Sequence, residues 1–351
     1  MTTFSRRQFN RILAGSAAAT IAAPAVMRAE TPDKIRYCWT NTVTVSAQTQ
    51  HTLKNTSIGA GHGLDIEMIQ FAGGPPINEA LVSGAADIGS VADFGAVIMM
   101  AAGAPIKVVG HQSSFRSAVL ATTKSGINSL ADLKGKQVYG LFGITAYLNA
   151  QETVRSAGLK VGSDVSFVNI GTPELADAVR AQRIDAFFMW DPWVTLFEHA
   201  GLAKVLSQNV TPAMVLMARE DLVKRKDGDV LRRLLRAHSE ALFFASQNHE
   251  LTNNWFRSLE PAKSIPTEVI ETASTFDPRW NAKQFSDVKA TVSDAGLASM
   301  QRMADWGFGE KLLPRVPAVK DFVNLPIASA ADAEATSKPF DIASVKITNT
   351  K

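Results

Sequence analysis

One cysteine, Cys38, is all that the 351 residues contain. A lone thiol excludes an internal disulfide framework and any zinc or iron–sulfur site that needs several cysteines. Histidine offers no alternative metal set. The six histidines (51, 62, 111, 199, 238 and 249) never stand at the i, i+4 spacing that places two ligands on one helix face. There is no His-Glu-x-x-His, no Gly-x-Ser-x-Gly elbow, and no phosphate loop closing in Gly-Lys-Ser or Gly-Lys-Thr. Charge of one sign is lacking as well: 36 Lys+Arg face 33 Asp+Glu. Long apolar runs are also missing. The longest, over 12–26, is about fifteen residues and holds Pro24, whereas a membrane span takes roughly twenty.

What is present is globular in character, with 46% apolar and 20% charged residues. The length allows two ordinary domains with proper cores. Residues 1–29 are different. They hold Arg6, Arg7, Arg11 and Arg28 and no acid, with the apolar, alanine-rich run after the first three arginines. Basic, then apolar, then small is the order of a secretory signal peptide, and the adjacent arginines resemble a twin-arginine export signal. Asn10 stands where that pattern prefers a large apolar residue. Cleavage is expected after Ala25 or after Ala29. Removal of residues 1–29 leaves 32 basic against 33 acidic residues, so the mature chain is near neutral and nothing in it points to nucleic acid.

From Lys34 onward, short apolar runs rich in β-formers alternate with helical patterns. The spacing predicts strands over 35–39, 65–71, 86–89, 106–110, 118–122, 137–139, 165–170, 184–188 and 214–218. Helix starts are marked by Ser129 three residues before Asp132, and by Thr172 before Pro173-Glu174. Such alternation predicts an α/β fold with largely parallel sheets. The chain also echoes itself. Gly73-Gly74-Pro75, Ala80, Ala86-Asp87-Ile88 and Asp93 return as Gly171-Thr172-Pro173, Ala178, Ile184-Asp185-Ala186 and Asp191, all at an offset of 98. A fainter echo at 102 links Lys34 and Tyr37 to Lys136 and Tyr139. Two similar lobes explain both.

In open α/β sheets, ligands bind beyond the carboxyl ends of the strands and between lobes. The loops in that position are 39–42, 73–76, 93–94, 143–145, 171–172 and 190–193. Several lead straight into helices, whose free N–H groups favour an anion. Gly143 and Thr145 make the cleanest case: glycine admits close approach, and a threonine at a helix start offers a hydroxyl. Trp190 offers a stacking face. Asp191 and Asp93 either receive a ligand amine or order their loops, and Arg116 is either a salt partner for an anionic ligand or a solvated charge. Other groups read as structural. Gly59-Ala60-Gly61-His62-Gly63 lacks dinucleotide spacing and reads as a turn. Ser286-Asp287-Val288-Lys289 lacks the companions of a Ser-x-x-Lys enzyme. His111, at the end of an apolar strand, reads as a buried histidine, and Cys38 as a buried thiol.

Several segments in a fixed order carry a family resemblance: Phe71-Ala72-Gly73-Gly74-Pro75, Glu79-Ala80-Leu81, and Gly84-Ala85-Ala86-Asp87-Ile88-Gly89-Ser90. Next come Ser129-Leu130-Ala131-Asp132-Leu133-Lys134-Gly135-Lys136, Ala157-Gly158-Leu159, Ile184-Asp185-Ala186 and Trp190-Asp191-Pro192. Together they resemble the periplasmic substrate-binding proteins of the nitrate/taurine/alkanesulfonate class of ABC importers, densely over 33–225. The resemblance implies a two-lobed type II periplasmic-binding-protein fold. Lobe one would be 33–118 plus 212–325 and lobe two 119–211, joined by two hinge crossings, with 326–351 as a C-terminal extension.

It further implies no catalysis and no cofactor, a small-molecule ligand, an ABC permease in the inner membrane as partner, and a monomer in the periplasm. The positions that carry over as ligand contacts are Trp39, Thr40, Asn41, Gly74, Pro75, Asp93 and Phe94 from lobe one. From lobe two come Gly143, Ile144, Thr145, Tyr147, Trp190, Asp191 and Trp193. Sulfonate-binding members typically carry Gly-Ser-Ser/Thr-Ala/Ser-His where this chain has Gly143-Ile144-Thr145-Ala146-Tyr147. A hydroxyl and an imidazole are thereby replaced by apolar and phenolic surface, which leans toward a ligand with an apolar or aromatic body. An exported enzyme or a ligand sensor on the same scaffold is the alternative.

Overall fold

The computed structural model describes residues 31–349; the proposed signal segment and its cleavage sites lie outside the described residues. Eight strands form one mixed sheet in the order β2-β1-β3-β8-β4-β7-β5-β6. They are β1 (Asp33–Thr40), β2 (Leu64–Phe71), β3 (Ile88–Ala92), β4 (Ile106–Thr122), β5 (Lys136–Gly140), β6 (Val165–Asn169), β7 (Ala186–Trp190) and β8 (Ala203–Arg219). From either edge the pattern is the same. An inner strand, β1 or β5, pairs parallel with an edge strand and with β3 or β7. That third strand then pairs antiparallel with a long strand, β8 or β4. The two long strands pair with each other from Ile106 opposite Arg219 to Thr122 opposite Ala203, and so belong to both halves of the sheet.

The main echo is visible here residue for residue. β3 and β7 start 98 positions apart, at Ile88 and Ala186, and each runs into an aspartate, Asp93 or Asp191. The fainter echo is one residue out of step. Tyr37 lies opposite Ile88, but the matching partner of Ala186 is Val138, not Tyr139. Because strand side chains alternate, one step changes the face. Tyr37 is wholly buried, while the Tyr139 hydroxyl turns to the exposed Gln137.

Helices cover both faces of each half. Those used below are α1 (Thr44–Asn55), α2 (Gly74–Ser83), α3 (Asp93–Ala101), α4 (Thr145–Ser156), α5 (Thr172–Arg180) and α6 (Trp193–His199). The C-terminal part adds α7 (Asp229–Gln247), α8 (His249–Arg257), α9 (Asp294–Gly309) and α10 (Leu325–Ser337). β1 shows why layers form: Ile35, Tyr37 and Trp39 pack into one apolar cluster with α7, while Cys38 packs into another on the opposite face with α2 and α3. β7 divides in the same way, with Phe187 and Met189 on one side and Ala186 and Phe188 on the other. At the crowded β5 end only glycine fits, since a Cβ on Gly140 would stand 2.4 Å from the Phe188 ring.

Two strand expectations change. Segments 106–110 and 118–122 are one strand, and 214–218 is the second half of another. The middle of β4 is polar and carries register shifts around His111, Ser113 and Phe115, which break the period-two signal. The first half of β8 is largely half-buried or exposed, so it has no apolar alternation to read. The Ser129–Asp132 capping box forms as expected, on a short 3-10 turn. At α5 the capping position is Gly171, with Thr172 already helical. No helix of the described residues is long and apolar enough to cross a membrane.

Candidate functional site

β1, β3, β5 and β7 run parallel within their halves, and each delivers the chain to a helix start beyond its carboxyl end. Between β3 and β7 lie the central stretches of the long strands. Val43 just before α1, Ala92, Phe115, Trp190, Ala213 and Met214 form an apolar cluster there. This cluster is the floor from which the helix starts rise.

Asp93 and Thr145 meet above it. Asp93 opens α3 at the end of β3 and is 1% exposed; Thr145 opens α4 from the other half of the sheet and is equally buried. The Thr145 hydroxyl donates to Asp93 Oδ1, and the Phe94 N–H donates to the same oxygen at 2.7 Å. Burial pushes the Asp93 carboxyl up to about 7, against the opposing pull of these two donors. A buried carboxyl facing no cation prefers its proton. Gly143 leads into α4 with φ +71, a left-handed turn in which a side chain is strained, and Ile144 caps the helix in extended conformation.

Aromatic rings complete this corner. Tyr147 stacks on Phe142 at 4.1 Å between centroids and on Phe188 at 5.6 Å. Trp306 of α9 stands edge-on to both Phe94, at 5.3 Å, and Tyr147, at 5.7 Å. Its indole N–H donates to Gln151 Oε1 at 3.1 Å. Burial raises the Tyr147 phenol pKa.

The structure separates the remaining expected positions. Trp190 is half-buried and packs against the floor cluster. Trp193, half-buried as well, lies 6.3 Å from Phe197 at the edge of the cluster holding Phe187 and Met189, which Trp190 also touches. Asp191 is fully buried, and its carboxylate is already committed. It accepts from Arg116 Nε at 2.8 Å and Nη2 at 3.3 Å, and from the Thr195 N–H and hydroxyl at 2.9 and 2.7 Å. This correction reaches Arg116 too. The guanidinium also pairs with Glu198, bonds Gln208 and Thr195, and lies over the Phe276 ring at 4.2 Å. Together the two charges hold the β7–α6 turn.

Trp39 and Asn41 also differ from expectation. Trp39 is wholly buried against His51, edge-on at 5.0 Å, and its indole N–H meets no acceptor among the described residues. Asn41 is buried, donating to the carbonyls of Phe256 and Leu259 at 3.0 and 3.1 Å while its Oδ1 meets His51 Nε2. It anchors the turn after β1 to the segment that closes α8. Thr40 is buried with its hydroxyl toward Thr42, and Gly74 and Pro75 are exposed at the start of α2. The structure thus gathers Asp93, Phe94, Gly143, Ile144, Thr145 and Tyr147 in one corner. Gln151 and Trp306 belong to it and were not anticipated. Trp306 lies in an amphipathic helix far along the chain, and no turn or motif signal marks it. Among the described residues no group of His, Cys, Asp or Glu could hold a metal ion.

The family model described as NMT1/THI5 like matches residues 60–250, more than half of the chain. The chain belongs to that family. It is similar to an aliphatic sulfonates-binding protein of Escherichia coli (strain K12), 28% identical over 256 residues, which are 71% of this chain and 76% of the relative. Among solved structures, the periplasmic sulfonate-binding protein SsuA of Methylobacillus flagellatus KT superposes with a TM-score of 0.72 at 18% identity. That match covers 92% of this chain and all of the other. The Escherichia coli periplasmic aliphatic sulphonate binding protein SsuA gives 0.70 at 21% identity, over 84% of this chain and 93% of its own. The fold of this family member is therefore that of the periplasmic binding proteins.

Proposed function

We propose that the protein is the solute-binding component of an ABC importer: exported to the periplasm, monomeric, without catalytic activity of its own, and delivering a small molecule to an inner-membrane permease. Its relatives named for sulfonate binding support this reading. The observation that carries it is the meeting of Asp93 and Thr145, two helix starts supplied by opposite halves of the sheet. The two halves are the lobes, 33–118 plus 212–325 and 119–211, and the long strands are the crossings between them. A ligand held between helix starts of both lobes favours the closed arrangement through contacts that the open one lacks. Asp93, Phe94, Gly143, Ile144, Thr145, Tyr147 and Trp190 are the proposed contacts, with Thr40, Gly74 and Pro75 at their margin. Export follows the twin-arginine route.

The test is thermal unfolding of the full chain against taurine, 1-octanesulfonate, nitrate, benzoate and an aminopyrimidine. A compound at one hundred times its dissociation constant adds about 2.7 kcal/mol when it binds only the folded state. One class raising the unfolding temperature, with the gain lost in Gly143→Val, supports the reading. Compounds that are consumed on incubation would overturn it in favour of an enzyme.

A further inference from the structure

Trp306 is shared between two cores. It packs at the edge of the cluster that holds Phe94 and α3, and at the edge of the cluster that holds Tyr147 and α4. The helix that carries it comes very close. A Cβ on the next residue, Gly307, would lie 2.8 Å from the Phe94 ring, so α9 can lean on α3 only because that position is glycine. On the other side α9 and the residue that follows it each reach α4. Trp306 Nε1 donates to Gln151 Oε1 at 3.1 Å, and Glu310 lies 3.8 Å from Arg155. The end of α9 thus meets the start of α3 at Phe94 and runs along α4 from Tyr147 to Arg155. It belongs to a segment beyond the residues matched by the family model.

We propose that the end of α9 is the outer wall of the ligand site, and that Trp306 selects ligands with a flat apolar or aromatic body. This inference rests on the solute-binding reading for the ligand and on geometry alone for the wall. A ligand that reaches Asp93 and Thr145 displaces the indole from Gln151. It has to replace the edge contacts that Trp306 makes with Phe94 and Tyr147. A ring or flat chain does so, because aromatic edges and faces pair favourably beyond their buried area. A small hydrated anion does not.

The experiment uses the full chain labelled with nitrogen-15, whose six tryptophans give six indole N–H signals. Trp306→Phe identifies the one that matters. In Gln151→Leu, with no ligand added, exchange of the Trp306 N–H with water should rise about tenfold while the other signals hold. A change below about twofold overturns the wall, because a bond that opens freely closes nothing. Benzoate, 1-octanesulfonate, taurine and nitrate are then titrated. Any of them that binds should move the Trp306 signal. Trp306→Ala should weaken benzoate or octanesulfonate about tenfold, and Trp306→Phe should restore most of that loss. Binding that leaves the signal in place, or that survives Trp306→Ala unchanged, overturns the selection. If none of the four binds, the selection by Trp306 is overturned, whereas the solute-binding reading still stands or falls by the unfolding test, and the exchange result decides whether the end of α9 is held closed over α4.

Discussion

The hydroxyl of Thr145 donates to the carboxyl of Asp93, joining the first residue of α4 to the first residue of α3 across the width of two long strands. Each group stands at a helix start, where free N–H groups favour negative charge, yet burial holds the carboxyl near neutrality. The pair is therefore a buried, donor-rich corner at the meeting point of the two halves.

Thr145→Val removes the hydroxyl and keeps the shape. It leaves a buried acceptor one donor short, at a cost of about 1 to 3 kcal/mol. Thr145→Ser keeps the donor and should stay within about 1 kcal/mol of the native chain. Urea unfolding at pH 7 compares them. Equal midpoints for the two variants would mean that the hydrogen bond carries no stability.

Acid response has two opposing sources with different signs. His51, His111 and His238 are buried and held down at about 3, so unfolding lets each bind a proton once the pH falls below its ordinary 6.5. Their contribution is present above that pH and is lost as pH falls toward 3. Asp93 does the reverse. Its folded value of about 7 lies above the ordinary 3.8, so its contribution is full below 3.8 and is lost as pH rises through 7. Between about pH 4 and 6, unfolding takes up three protons at these groups and releases one, and stability falls with acid by about 2.7 kcal/mol per pH unit. Asp93→Asn removes the opposing proton, so the slope should steepen to about 4.1 kcal/mol per unit. Urea titrations at several pH values measure both slopes. An unchanged slope in Asp93→Asn would show that the carboxyl titrates normally.

Much of this arrangement is legible in the sequence, and the limits have physical causes. The offset of 98 between Asp93 and Asp191 follows from matched starts: α2 and α5 begin 98 residues apart, at Gly74 and Thr172, as do β3 and β7, at Ile88 and Ala186. Their aspartates nonetheless differ in environment. Asp191 meets Arg116, supplied by a distant strand, whereas Asp93 meets only a threonine and a backbone N–H. Spacing locates a residue and says nothing of its partner. The polar centre of β4 is another limit. Gln112 sits wholly buried because Ser46 of α1, His238 of α7 and Tyr37 of β1, which is not its sheet neighbour, satisfy it. A sequence shows the polarity but not the partners, so the strand looks interrupted there. Trp306 was missed for the same reason: its role depends on Gln151, 155 positions away.

Cys38 gives a simple check of the packing. It lies in the inner strand with its Sγ toward the Ile88 carbonyl, and burial pushes the thiol up to about 12. The thiolate is the reacting species, so a buried thiol with so high a pKa is inert. Ellman's reagent should find no thiol in the native protein at pH 8 and one after unfolding in guanidinium. Rapid reaction of the native chain would place β1 at an open edge, contrary to its position between β2 and β3.

The Arg116–Asp191 pair makes the most severe prediction. Both side chains are almost fully removed from water, and Asp191 also caps the start of α6 through Thr195. Arg116→Ala strips the carboxylate of its only guanidinium but leaves it buried, which costs about 3 to 5 kcal/mol. Asp191→Asn should cost less, because the amide oxygen still accepts from Thr195 and Arg116 retains Glu198. Removing both charges in Arg116→Met with Asp191→Asn should cost less than the two single losses combined, since neither partner is then left buried and unpaired. Urea midpoints of the three variants form the cycle. If Arg116→Ala loses less than about 1 kcal/mol, Asp191 is not held as described, and its carboxylate returns as a group free to meet a ligand.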